Sequence, residues 1–354
     1  MLAEYYYTIY LIFCSFMTFI VMSMYKQNVL LNNSRNTSQY LFALIITCAI
    51  AIFIGVRPVS YLFVDMSAYR SRYINILGSP FYFDWTTENL IYDNWFTYMA
   101  SIGIPINSVF ILFAFIYYGC IYVAAKKLFP KDTLLATLVC FVAFSTFSYA
   151  TNGMKAGMAA SIFLVALAYH DKLWLTIPLA LFTYGMHHAM KLVIVAYLIV
   201  LLVRNPKFHF IVWLMSFLMA ALHITYFQHL FAGFTDEHGA GYLLSERNSG
   251  FRIDFVIYSV VPVIIGYYMI YKKKILSKTY NLILSLYLLT NSVWMLCMYS
   301  NFTNRISYLS WFLYPIVILY PFVNMVWSSK QYTYLKYCVY GHLSFTLFMT
   351  FIYY

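Results

Sequence analysis

The sequence predicts an all-α, polytopic membrane protein with about twelve transmembrane helices. Of its 354 residues, 63% are hydrophobic and only 9% charged, and mean hydropathy is +0.74; soluble domains carry about 25% charged residues. Apolar runs long enough to cross about 30 Å of hydrocarbon recur along the chain. They are continuous runs, not short segments alternating between lipid-facing and lumen-facing residues, so helices rather than a barrel satisfy the backbone.

The expected spans are residues 4–25, 39–55, 104–124, 133–151, 154–169, 173–187, 189–203, 208–230, 254–271, 279–299, 305–327 and 332–353. The pair from 173 to 203 reads either as one re-entrant hairpin or as two short helices meeting at MHHAMK. The N-terminal MLAEYYYTIY has Glu4 where a signal peptide would carry basic residues, and no A-x-A site follows, so the first span is expected to stay. No internal repeat is visible, and residues 1–354 read as a single membrane domain.

Charges on alternate connections orient these spans. One set (Lys26, Arg35, Lys126, Lys127, Lys131, Lys172, Arg204, Lys207, Lys272, Lys273, Lys274, Lys278, Lys330, Lys336) opposes 14 basic residues to Asp132 and Asp171; the other carries 8 basic and 9 acidic residues. The positive-inside rule makes the first set cytoplasmic. Both termini and the long loops 56–103 and 231–253 are then extracytoplasmic. The net charge of +11 is explained by this orientation, and a nucleic-acid partner is not expected.

This sidedness excludes several chemistries. Cytoplasmic connections of about a dozen residues at most are too short for a nucleotide-binding domain, and neither GxxxxGK[ST] nor DxD occurs. The six cysteines (Cys14, Cys48, Cys120, Cys140, Cys297, Cys338) lie in apolar runs without CxxC spacing and read as small buried hydrophobes. No metal and no cofactor is expected. A polar site, if there is one, faces outward and takes a substrate delivered within the membrane.

The first external loop opens with GVRPVSYLFVDMSAYRSRY, which gathers Arg57, Asp65, Arg70 and Arg72. A helix over 64–74 would put Asp65, Tyr69 and Arg72 on one face. The cluster reads as a solvated loop with arginines at the headgroups, or as a phosphate site in which Arg57, held at the membrane surface before Pro58, meets a lipid phosphate with its planar fork. The following SPFYFDWTTENLIYDNWF mixes aromatics with Asp84, Glu88 and Asp93, either a sugar-binding surface or an interfacial belt. In TNGMKAGMAASIF, Lys155 sits among Gly153, Ala156, Gly157, Ala159 and Ala160; the small residues permit close helix packing, and the lysine either snorkels or contacts an anionic headgroup.

His187 and His188 are adjacent in GMHHAMK, with Lys191 one turn on. Histidine titrates near neutrality, so either one is a candidate general base, structural hydrogen bonding being the other reading; side chains about 100° apart would not normally share a metal. His209, His223 and His229 read as satisfied or interfacial. In the second loop, FAGFTDEHGAGYLLSERNSGFRID, four glycines suit a mobile lid. Arg247 and Arg252 are further phosphate candidates, and Asp236, Glu237 and His238 carry only a weak metal signal. Arg305 opens a late span at NFTNRISYLSWF, either snorkelling or facing a phosphate.

In their order, GVR…D…Y at 55–69, NGMKAGMA at 152–159, the histidines at 187–188 and TNRI at 303–306 resemble the EpsG/Wzy-type polysaccharide polymerases of bacteria, over residues from about 50 to 310. Where the family usually carries Arg-Gln, this chain has Lys155-Ala156, which keeps the charge and loses the fork. The resemblance implies a glycosyltransferase in the cytoplasmic membrane, its site facing the exterior, joining oligosaccharide repeat units carried on undecaprenyl pyrophosphate. It also implies partnership with membrane lipids, a flippase and a chain-length regulator. Such a transfer needs a hydroxyl deprotonated and a departing pyrophosphate neutralised without a metal. Asp65, His187 and His188 are then the candidate bases. Arg57, Tyr69, Arg70, Arg72, Lys155, Arg247, Arg252 and Arg305 are the candidate binding residues, with Arg57, Asp65, His187 and Arg305 foremost.

Two other readings fit less well. A glycosyltransferase using a polyprenyl-monophosphate sugar would also use Asp65 as base. A flippase for lipid-linked oligosaccharides, or another transporter, would spread polar residues through the midplane and often show two related halves; here charges gather at external ends. No early His-Asp or Arg-His pair points to a membrane acyltransferase.

Overall fold

The structure, a computed structural model, describes residues 2–25, 37–232, 240–241, 243–244 and 250–353, and every regular element among them is helical. In chain order these are α1 (Tyr5–Met24), α2 (Thr37–Gly55), α3 (Val64–Ile76), α4 (Leu90–Ser101), α5 (Ile106–Leu128), α6 (Thr133–Val142), α7 (Thr146–Thr151), α8 (Met154–Ala168) and α9 (Leu173–Met186). They continue with α10 (Met190–Leu202), α11 (Pro206–Ala221), α12 (Tyr226–Ala232), α13 (Ile253–Tyr267), α14 (Lys278–Leu296), α15 (Thr303–Trp311), α16 (Tyr314–Asn324) and α17 (Gln331–Phe348). Single π turns extend α13 to Lys272 and α17 to Tyr353.

Among the described residues, five helical segments are long and apolar enough to cross a membrane: 5–24, 37–55, 106–128, 253–272 and 303–324. The pair α11 and α12 makes a sixth if counted as one span, although it bends by 114°. Ile12, Phe16 and Phe19 of α1 and Phe42, Ile45 and Ile52 of α2 are exposed. Apolar surface of that extent belongs against hydrocarbon, so the chain is a multi-pass membrane protein.

Several expected spans are broken. The run 133–151 stops at Ala143 and resumes as the short α7, and 208–230 turns sharply after Ala221. α6, α8, α9 and α10 are apolar helices of 10–17 residues. Hydropathy records that a run is apolar; it does not record where packing bends it. The loop 56–103 contains two helices, α3 and α4, the first covering the stretch where Asp65, Tyr69 and Arg72 were expected to share a face.

The chain falls into two compact units, residues 1–187 with 329–354, and residues 188–328. In the first, α5 follows Pro105 and ends on Lys126 and Lys127, cations suited to a helix C-terminus. It packs against α2, α6 and α8, while α8 also packs on α7 and α9, α9 on α4, and α4 on α3. α1 lies against α6 and α17, where the Tyr332 hydroxyl donates to the Tyr25 carbonyl. Gly55 is required at the α2–α5 crossing, because a Cβ there would stand 2.7 Å from the Ile111 Cα.

In the second unit α14 is buried on almost every side, by α10, α11, α13, α15 and α16. Such a helix must satisfy its own polar groups. The Trp213 indole donates to Asn291 Oδ1 (2.7 Å), Asn291 Nδ2 donates to Ser259 Oγ (3.1 Å) and Ser310 Oγ (3.0 Å), and the Trp311 indole donates to Ser259 Oγ (2.9 Å). One amide thereby ties α11, α13, α14 and α15 together.

Asp132, immediately before α6, is buried at 1% exposure with neither carboxylate oxygen in full hydrogen-bond geometry, and Tyr25 and the Lys131 charge offset only part of the cost of burial. Burial pushes its carboxyl up from 3.8 to about 6. An unfolded chain ionises this group more easily than the folded one, so stability is full below about pH 4, declines as pH rises through about 6, and is lower above it, by about 3 kcal/mol. Asp132→Asn is expected to abolish that decline, raising the melting temperature at pH 8 but not at pH 4, in thermal scans across that range.

Candidate functional site

Arg57 follows α2 by two residues and is only 3% exposed. Its Nη1 donates to the Ile54 carbonyl (2.7 Å) and its Nη2 to the Thr151 carbonyl (3.4 Å) and the Met154 sulfur (3.1 Å), and its guanidinium lies 5.4 Å from the Phe63 ring centroid. The sequence reading put this arginine at a headgroup. Instead its fork is used on carbonyls at the C-terminal ends of α2 and α7, where helix dipoles leave partial negative charge. Nε has no partner and, among the described residues, no carboxylate pairs with the side chain. Burial lowers its pKa to about 10, so it stays cationic at neutral pH.

Phe63 passes this order on to α3. Its ring meets those of Tyr6 and Phe147, both at 6.4 Å, fixing the start of the helix. Asp65 and Tyr69 are half-buried along α3, and Arg70 is exposed. Arg72 reaches Asp93 of α4 at 2.8 Å, with side-chain exposures of 49% and 10%, and its guanidinium stands 5.8 Å from the Phe96 ring. Tyr69 sits 6.0 Å from both the Tyr92 and Phe96 rings.

Lys155 arrives at the same place from α8. Its Nζ lies 5.6 Å from the Tyr92 ring centroid. The α7–α8 corner that carries it is tight: a Cβ on Gly157 would fall 2.7 Å from the Tyr149 carbonyl oxygen, which accounts for the small residues of NGMKAGMA. Tyr69, Arg72 and Lys155, scattered over more than eighty residues, therefore converge on Tyr92 and Asp93.

His187 caps α9 in extended conformation, its N–H donating to the Thr183 carbonyl at 2.9 Å. Two residues earlier, a Cβ on Gly185 would lie 2.6 Å from Ile91 Cδ1, so the last turn of α9 rests on the first turn of α4; His187 itself is half-buried. His188 opens the second unit, where the Lys191 N–H donates to its carbonyl at 3.0 Å.

Two further arginines belong to the second unit. Arg252 grips Asp254 in bidentate fashion, Nε to Oδ1 at 3.0 Å and Nη2 to Oδ2 at 2.6 Å, over the Phe255 ring at 3.7 Å. Its fork is thus already engaged. Arg305 is exposed in the first turn of α15, 5.4 Å from the Phe302 ring, and the Trp294 indole anchors that turn through Thr303 Oγ1 at 2.9 Å. Arg247, with Asp236, Glu237 and His238, lies outside the described residues. Among those described, no cluster of three or more His, Cys, Asp or Glu side chains is arranged to hold a metal.

Sequence reasoning missed Tyr92 as a site residue and the helix that holds it. The signal was present in the apolar spacing of Tyr92, Phe96, Met99 and Ala100, all buried along α4. The wealth of aromatics around it reads equally well as an interfacial belt.

Gly185→Ala is expected to cost about 1–3 kcal/mol by driving Ile91 aside, and Ile91→Ala in the same chain should recover part of that loss. Thermal scans of the two single variants and the double variant measure the coupling.

The model of the EpsG family matches residues 40–354. No curated protein and no solved structure matches the chain.

Proposed function

The chain belongs to the EpsG family, and from that premise we propose that it polymerises polysaccharide by joining oligosaccharide repeat units carried on undecaprenyl pyrophosphate, at the outer face of the cytoplasmic membrane. The observation that carries this reading is the convergence of Lys155, Tyr69 and Arg72 on Tyr92 and its neighbour Asp93, with the buried charge of Arg57 held against Met154, the residue before Lys155. That arrangement combines cations with aromatic faces, which a transfer from a lipid pyrophosphate to a sugar hydroxyl requires.

In the proposed reaction a hydroxyl of the incoming unit attacks the anomeric carbon of the growing chain. The new C–O bond forms as the bond to pyrophosphate breaks, and the carrier leaves with the electron pair. His187, His188 or Asp65 takes the hydroxyl proton. Lys155, Arg70 and Arg72 neutralise the departing pyrophosphate, and Tyr69 packs against the sugar; Arg247, Arg252 and Arg305 are proposed separately as binding residues for the lipid-linked substrate. Arg57 acts through its field and by holding the α7–α8 corner. A chain-length regulator and a flippase are the expected partners.

We also propose the twelve-segment topology with both termini outside. Alkaline phosphatase fused after residue 353 should be active, and the same reporter inserted at residue 131 inactive; the reverse pattern would overturn the orientation.

Lys155→Met and Arg305→Ala are each expected to abolish polymer while the variant protein remains in the membrane and single lipid-linked units accumulate, read by electrophoresis of extracted glycans. Full-length polymer from both variants would sink the site assignment. In a deletion strain, one repeat unit on the acceptor marks a polymerase, whereas failure to export any unit marks a flippase.

A further inference from the structure

Tyr92 is a buried phenol whose hydroxyl meets no partner in full hydrogen-bond geometry, although the Tyr69 hydroxyl lies close enough to act on it. The residue is 0% exposed. Leaving such a group unsatisfied costs about 1–3 kcal/mol, and a phenylalanine would fill the same space without that cost. The hydroxyl therefore calls for an explanation in terms of something that binds.

Its surroundings indicate what that is. The ring is fixed by Phe96, stacked at 5.7 Å, and by Phe113 at 5.7 Å, so the hydroxyl has a set direction. The Lys155 ammonium stands 5.6 Å from the ring centroid, and Tyr69, Asp93 and Arg72 are the other polar groups whose fields reach it. Asp93 is engaged by Arg72 at 2.8 Å. Tyr69 lies towards Tyr92, yet the two hydroxyls do not meet hydrogen-bond geometry. Burial raises the phenol well above its ordinary value, so at neutral pH it keeps its proton and has it to donate. A donor beside a cation, with its own carboxylate neighbour already paired, is matched to an oxyanion.

We propose that the Tyr92 hydroxyl and the Lys155 ammonium together grip one phosphate group of the lipid-linked substrate. This rests on reading the chain as a polymerase of pyrophosphate-linked units. Lysine is a point charge without a fork, so a directional hold on a phosphate requires a second donor; Tyr92 supplies it from the protein interior. Tyr69 covers the site. It belongs to α3, which buries only Met66 and Tyr73 and rests on α4 and α5, so the half-buried Tyr69 side chain is the one a ligand displaces to reach Tyr92.

The test is Tyr92→Phe, which keeps the ring, its stacking and its contact with Lys155 while removing a single oxygen. Full-length wild type, Tyr92→Phe and Lys155→Met, each in nanodiscs, are titrated with undecaprenyl pyrophosphate and assayed for polymerisation of a lipid-linked repeat unit. Tyr92→Phe should melt at or above the wild-type temperature, because an unsatisfied hydroxyl is gone. It should bind the carrier about tenfold or more weakly, the loss expected for a hydrogen bond to a charged group, with KM raised in proportion. Wild-type affinity in Tyr92→Phe, with binding lost in Lys155→Met, would overturn the role of Tyr92 and leave the polymerase reading standing. If the wild type neither binds the carrier nor joins the units, the polymerase reading falls and the role of Tyr92 falls with it.

Discussion

Arg57 is the constraint on which the first unit depends. A guanidinium taken out of water must find acceptors, and among the described residues no carboxylate supplies them; helix-end carbonyls at Ile54 and Thr151 do. Satisfying one charge in this way joins the end of α2 to the end of α7 and sets the first turn of α8, because the same fork touches Met154 next to Lys155. The edge-on and tilted ring contacts of Phe63 then carry the order into α3. Segments far apart in the chain are held in place by an interaction that itself never reaches the surface.

The second unit meets the same requirement differently. α14 has no lipid-facing stripe to itself and runs through the middle of its neighbours, so its polar side chains must pair inside the protein. Asn291 uses its acceptor and both donors at once, on partners from three other helices. Two half-satisfied groups there would weaken the bundle more than an apolar residue would. Arg252 and Asp254 follow the same logic nearer the surface, each neutralising the other above an aromatic face.

Much of the site was legible in the residues. Asp65, Tyr69 and Arg72 lie along a helix, as their i, i+4, i+7 spacing requires, and the small residues around Lys155 do serve a close approach. Arg57 was legible as special, but its surroundings were not. Its place at the end of an apolar run suits a headgroup ligand and a buried cap equally, and only the position of α7 decides between them. Asp93 stood among several carboxylates in one loop, with nothing local to mark it as the partner of Arg72.

The sequence by itself determined the helical class, the membrane environment and the family resemblance, because hydrocarbon leaves a polypeptide few ways to satisfy its backbone and those ways are written in hydropathy. Tertiary structure alone decided where apolar runs break, which cation is buried and which side chains meet. Those outcomes depend on close contacts between segments far apart in the chain, such as Gly55 against Ile111 and Gly185 against Ile91. A space of one methyl group at such a crossing sets whether Tyr69, Arg72 and Lys155 gather around Tyr92, and no periodicity along the chain records it.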